Sequence, residues 1–224
     1  MTPSPFYVSI LTHRNYGDAL KALLSTLPVE FKNKYILIYS QEPEYEIKNF
    51  EDGHIEVKIK NNIYDYGNWV GISMLLEKNV VPQNSWFLLI HDTCKFVENS
   101  AQKINSIINE FDQTDRDIIW TSNNGISNFC LARRNGVKQG GARYHSILTM
   151  SKMDAISYEW NHGHYLCPKS LDAPNFYINC PVKNLGTRDV YNSGAIRTII
   201  LHDSVGIEKY YVHVSKEGEH PERP

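Results

Sequence analysis

Five short apolar runs, at residues 6–11, 35–39, 55–59, 86–90 and 117–121, punctuate the first half of this chain. Between them, apolar residues recur at helical spacing. Ala19, Leu20, Leu23 and Leu24 mark one face of segment 18–27, which stops at Pro28, and segments 68–76 and 101–111 have the same character. The run Trp-Phe-Leu-Leu-Ile at 86–90 is continuously apolar, as a strand covered on both faces must be. The run at 55–59 alternates Ile, Val and Ile with charged residues, the mark of a half-exposed strand. Strands alternating with helices predict an α/β, Rossmann-like fold: a central, mostly parallel mixed sheet flanked by helices.

A sheet of that kind binds ligands outside the carboxyl ends of its strands. Three polar segments directly follow apolar runs there: Thr12-His13-Arg14, the stretch 61–65, and His91-Asp92-Thr93. The second half is less regular. Segments 128–133 and 146–150 read as strands, with the Gly-rich 139–143 between them, and Ser151 caps a helix over 151–158. Segment 161–184, rich in Pro, Asn, Tyr and His, reads as an ordered loop, 190–200 as a helix and 210–214 as a last strand. One domain over 1–214 is expected, with 215–224 a polar tail or a linker toward further C-terminal domains.

Composition removes several classes of function. Hydrophobic residues at 42% and charged residues at 21% suit a globular chain and exclude disorder. A net charge of −2 gives no basic field for nucleic acid. No basic and apolar leader opens the chain, and no apolar run is long enough to span a bilayer. The four cysteines form no Cys-x-x-Cys pair, so a reduced, cytoplasmic, soluble protein is expected. His162-x-His164-x-x-Cys167, with Cys180 downstream, offers zinc ligands but lacks a second clear pair. The phosphate loop of P-loop enzymes, the dinucleotide fingerprint and the hydrolase nucleophile elbow are all absent.

Residues 61–96 read NNIYDYGNWVGISMLLEKNVVPQNSWFLLIHDTCKF. This stretch resembles the GT-A class of glycosyltransferases, in which an Asn-rich strand end leads to a Gly and a helix. A hydrophobic strand capped by a short acidic metal motif follows. The usual motif is Asp-x-Asp; here it is His91-Asp92-Thr93-Cys94, similar to Asn-Asp-Ser variants of rhamnan-synthesis enzymes. Both His91 and Asp92 fit the first acidic position, and Asp92 is the only carboxylate. A strand-end Asp that caps the next turn is the plainer reading. Further on, the segment 187–197, opening Thr187-Arg188-Asp189, resembles the place where an acidic residue starts a helix with a downstream Arg. In inverting members that acid takes the proton from the acceptor hydroxyl. A simple helix N-cap is the alternative. The segment 206–213 resembles the strand that ends in a metal-binding His, here His213.

The overall likeness is to the amino-terminal glycosyltransferase domain of large chlorella-virus proteins that build capsid glycans. It implies transfer of a hexose or 6-deoxyhexose, such as rhamnose, from a UDP-sugar to a glycan or glycoprotein acceptor. A viral protein of this kind works in the host cytoplasm. The resemblance implies Mn²⁺ or Mg²⁺ held by Asp92 and His213, with Asp189 as catalytic base. Thr12, Arg14, Asp65, Asn68, His91, Asp92 and Thr93 are then the nucleotide-sugar contacts. Two alternatives remain. A sugar-nucleotide nucleotidyltransferase would open with a Gly-rich basic loop, of which Thr12-His13-Arg14-Asn15-Tyr16-Gly17 is a poor version. A binding module without catalysis fits the departure from Asp-x-Asp.

Overall fold

The computed structural model describes residues 4–121, 130–151, 153–155, 182–192 and 194–212. Seven strands form the main sheet: β1 (Phe6–Thr12), β2 (Tyr35–Tyr39), β3 (Glu46–Asn49), β4 (Ile55–Lys58), β5 (Trp86–His91), β7 (Ile118–Trp120) and β8 (Cys130–Arg133). Their order is β3-β4-β2-β1-β5-β8-β7. Strands β4, β2, β1 and β5 are mutually parallel, while β3 and β8 run against their neighbours. The centre is therefore a parallel α/β sheet with antiparallel edges.

Period-2 alternation sorts the side chains of this sheet into two cores. Val8 and Ile10 of β1, and Trp86, Leu88 and Ile90 of β5, point to the face covered by helices α1 (Gly17–Ser25) and α3 (Ser100–Phe111). Leu11, Ile36, Ile38, Phe87 and Leu89 point the other way, toward α2 (Gly67–Glu77) and α4 (Arg134–Tyr144). Helix α2 is buried along 67–76 because it lies between the sheet and α4, so it has no polar face. Its start is pinned by Asn68, which accepts from Ser9 Oγ at 2.8 Å and donates to the Ile90 carbonyl at 2.8 Å.

Helix α4 differs from the sequence expectation. The Gly-rich stretch 139–143 is not a loop between strands but the packing face of this helix. Each glycine costs a helix about 1 kcal/mol of propensity. Close approach offsets that cost, since a Cβ on Gly140 would sit 2.4 Å from the Trp69 ring and one on Gly141 2.4 Å from Ser73. Segment 146–150 is not a strand; it makes one parallel bridge, Thr149 to Asn62.

A second sheet, ordered β6-β11-β10-β9, is antiparallel throughout. It comprises β6 (Cys94–Phe96), β9 (Val182–Asp189), β10 (Ile196–His202) and β11 (Ile207–Val212). Here the expected helix over 190–200 is overturned. Tyr191, Asn192 and Gly194 form a turn, with Asn192 at φ 54° and Gly194 at φ 80°. The β-branched Ile196, Thr198, Ile199 and Ile200 then favour a strand. Of the expected helix over 151–158, a short helical segment at 153–155 is described, and Ser151 does cap it, accepting from the Asp154 amide at 3.1 Å. The rest of that segment, the loop to 181, the His162, His164, Cys167 and Cys180 set, His213 and the tail lie outside the described residues. No described helix is long and apolar enough to cross a membrane.

Two glycine substitutions separate space from propensity. Gly140→Ala is expected to lower unfolding free energy by about 1–3 kcal/mol through overpacking against Trp69. Gly17→Ala, where no atom lies within 4 Å, is expected to raise it by about 0.4–1 kcal/mol. Urea midpoints of the two variants read the difference.

Candidate functional site

The order of the main sheet reverses beside β1. From β1 the chain moves outward through β2 and β4, whereas β5 lies on the other side of β1. The carboxyl ends of β1 and β5 therefore lie at a topological switch point, the place where sheets of this kind bind their ligands. Leu11 pairs with His91, so Thr12 and Asp92 sit side by side at that edge. The Asp92 amide donates to the Leu11 carbonyl at 3.1 Å, and Thr12 Oγ1 donates to Asp92 Oδ2 at 2.8 Å. Thr12 is 3% exposed and Asp92 6%. A carboxylate this deep needs such a donor to remain charged at low cost.

Asp92 and Thr93 are also the turn by which the chain leaves the main sheet for the second one. Cys94 pairs with Lys209 across β6 and β11, and the Tyr210 amide donates to the Thr93 carbonyl at 2.9 Å. The second sheet thus grows out of the candidate site. Lys209 is buried there, its ammonium 4.9 Å from the centre of the Tyr211 ring.

His91 stands beside the carboxylate. Its Nδ1 is 2.6 Å from Thr93 Oγ1, and its Nε2 is buried without a hydrogen-bond partner, 4.0 Å from Asp65 Oδ1. Burial holds its pKa down at about 4; Asp65 works against that shift and Lys209 adds to it. The imidazole is therefore neutral at pH 7, and the Asp65 contact is not an ion pair there. Burial also pushes the Cys94 thiol up to about 12, which removes it as a thiolate nucleophile or ligand.

The remaining expected contacts are placed as follows. Arg14 lies in the 3-10 turn after β1 and forms a two-pronged ion pair with Glu42, whose side chain is 2% exposed; Nε meets Oε1 at 2.5 Å, and Nη2 meets Oε2. Asp65 lies in the turn that opens α2, facing His91. Asn68 is inside the core, both ends of its amide engaged with Ser9 and Ile90, so it positions α2 rather than facing the crevice. Asp189 ends a strand rather than opening a helix, and its Oδ2 accepts from the Gly194 amide at 2.6 Å, closing the β9–β10 turn. His213 is outside the described residues, so its distance from Asp92 is not part of this geometry.

Two residues that the sequence did not single out lie near Asp92 through the second sheet: Tyr191 and Lys209. Tyr191 packs edge-on against Tyr210, 5.9 Å between ring centres, and the Asp92 carboxylate contributes to the raised pKa of its phenol. No sequence signal marks them, because only the register of the second sheet brings them to Asp92.

Among the described residues no group of three or more His, Cys, Asp or Glu side chains is gathered for a metal. At this edge the Asp92 carboxylate stands by itself as an oxygen donor, while His91 and Asp65 face each other at 4.0 Å. A carboxylate oxygen is the kind of donor a hard cation uses, such cations filling the rest of their shell with phosphate and water oxygens. No protein-family model matches this chain, and no curated protein matches it either.

Two outcomes check the geometry. Thr12→Val is expected to cost about 1.5–3 kcal/mol, since it removes the donor to a buried carboxylate. His91 and His202 are both held near pKa 4 by burial, below the ordinary 6.5. Between pH 6.5 and 4 the unfolded chain therefore binds protons that the folded chain does not. Stability should fall as pH drops through that window, by up to about 1.4 kcal/mol per pH unit for each histidine. Urea unfolding of wild type and His91→Gln at several pH values should show a shallower fall in the variant.

Proposed function

We propose that this chain is a GT-A-type glycosyltransferase that transfers a hexose or 6-deoxyhexose, such as rhamnose, from a UDP-sugar to a glycan or glycoprotein acceptor. The supporting observation is the buried Asp92 carboxylate. It stands at the switch point of the parallel sheet, fixed by Thr12 and set at the root of a second sheet. Asp92 would hold Mn²⁺ or Mg²⁺, with Asp65 and His91 beside it; His213 is the further ligand the sequence suggests. The cation supplies neutralisation of the charge that develops on the departing nucleoside diphosphate.

The chain's own residues take the other tasks. Thr12 orients the Asp92 carboxylate. Arg14, anchored by Glu42, presents one edge of its guanidinium where the nucleotide enters, and Asp65 is placed for the ribose or base. Asn68 fixes the start of α2, and with it Asp65. Neutral His91, with Thr93 on its Nδ1, lines the crevice without adding charge. Asp189 is the proposed base, reaching the acceptor hydroxyl from the β9–β10 turn.

A second reading is favoured by one contact. Asp189 spends Oδ2 on its own turn, as it would in a module that binds a sugar nucleotide without transferring the sugar.

Release of UDP from a panel of UDP-sugars, with Mn²⁺ present, separates the two readings. Slow hydrolysis of one donor is expected, reduced at least about 100-fold in Asp92→Asn and about 10–100-fold in Thr12→Val. Hydrolysis unchanged in Asp92→Asn would remove Asp92 from the reaction. A donor bound but left intact would mean a binding module.

A further inference from the structure

The main sheet has a second edge, formed by the amino ends of β1, β2 and β4 and by the end of β3, which runs against them. Strand β1 is 7 residues long, so this edge lies about 20 Å from Asp92. Two open cavities meet there. One, of about 350 Å³, is lined in part by Pro5, Asn33, Lys34, Asn49 and Phe50. The other, of about 410 Å³, is lined by Leu24, Leu27, Lys32, Asn33, Tyr35 and Asp52. Asn33 belongs to both, and each volume falls in the range of small-ligand sites.

A stack of three rings stands between them. His54 lies against Tyr35, with ring centres 5.0 Å apart and planes 2° from parallel, and against Phe50, at 4.2 Å and 10°. The Asp52 carboxylate holds its Nδ1. The β3–β4 turn that carries Phe50 packs closely onto the start of β2. Its Gly53 has φ 90°, and a Cβ there would sit 2.9 Å from the Asn33 carbonyl oxygen. Phe50 is 40% exposed, yet its ring is fixed, with one face on His54 and the other left for a ligand. The polar groups around the stack are uncommitted. On β3 and β4, Lys48 and Lys58 are ion-paired with Glu46. Among the described residues, the Lys32 and Lys34 ammonium groups and the Asn33 and Asn49 amides have no such partner.

We propose that this edge binds a linear, neutral glycan, with consecutive pyranose rings in the two cavities on either side of the stack. The C–H groups of a pyranose form a weakly positive apolar face, and the negative face of an aromatic ring is its flat complement. Its hydroxyls both donate and accept. Asn33 and Asn49 offer both functions, the lysines donate and Asp52 accepts. With Asp52 beside them, the two lysines set up no strong positive field, which favours a neutral chain over an acidic one. Adjoining cavities favour a chain over a single ring, since the second unit binds at lower entropic cost once the first is held. Only the taking of this glycan as the acceptor, held far from the point of transfer, rests on the glycosyltransferase reading; the binding itself needs neither donor nor metal.

The test is calorimetric titration with linear tetrasaccharides of glucose, mannose and rhamnose, and with the corresponding monosaccharides. Wild type, Phe50→Ala, Phe50→Trp and Asn33→Ala are compared, with thermal melting of each. One tetrasaccharide is expected to bind in the absence of Mn²⁺, about tenfold or more tighter than its monosaccharide. Phe50→Ala should weaken it by about tenfold or more, and Asn33→Ala severalfold, while Phe50→Trp retains it. Equal affinity in wild type and in folded Phe50→Ala and Asn33→Ala overturns the site, as does failure of every tetrasaccharide to bind the folded wild type. Phe50-dependent binding by a chain that hydrolyses no UDP-sugar keeps this site and removes the transferase reading.

Discussion

The hydrogen bond from Thr12 to Asp92 is the contact on which the site depends. It joins the ends of the two central parallel strands at the point where the sheet's order reverses. It also fixes the turn from which the second sheet departs, because the next residues pair with β11. A buried carboxylate is costly unless its oxygens are satisfied. Placing one here makes little sense as packing, since an apolar residue would fill the space without a desolvation penalty. Here the Thr12 hydroxyl satisfies one of its oxygens, at the edge where sheets of this class bind ligands.

The surroundings of that charge are strongly biased. His91 is kept neutral by burial and Cys94 is kept protonated, so neither adds charge near Asp92 at pH 7. Positive charge arrives from the second sheet through Lys209, whose strand partner is Cys94. One sheet thus supplies the carboxylate and the other a buried lysine.

Much of this architecture was legible in the sequence. The apolar runs marked β1, β2, β4, β5, β7 and β8 because strands buried on one or both faces have no other way to satisfy the sheet. The strand-end rule points to Thr12, Asp65, His91 and Asp92; in the structure Thr12 bonds Asp92 and His91 faces Asp65. The misreadings have specific causes. Gly140 and Gly141 look like loop residues until Trp69 and Ser73 press against them. Apolar residues at 196 and 199–200 fit a helical period as well as a strand, and only the turn residues before them decide the matter. Asn68 stood among the nucleotide contacts that the resemblance implies, whereas its amide is engaged by Ser9 and Ile90. Tyr191 and Lys209 could not be read at all: their nearness to Asp92 is a product of antiparallel register, which no local pattern encodes.

The central claim is that Asp92 anchors a metal-bound nucleotide sugar. Calorimetric titration of the chain with a panel of nucleotide sugars, with and without Mn²⁺, tests it most directly. The account expects one UDP-sugar to bind with Mn²⁺ present and to lose that binding when the metal is removed. A folded chain that binds none of them, or binds one with the same affinity in the presence of a chelator, would contradict it.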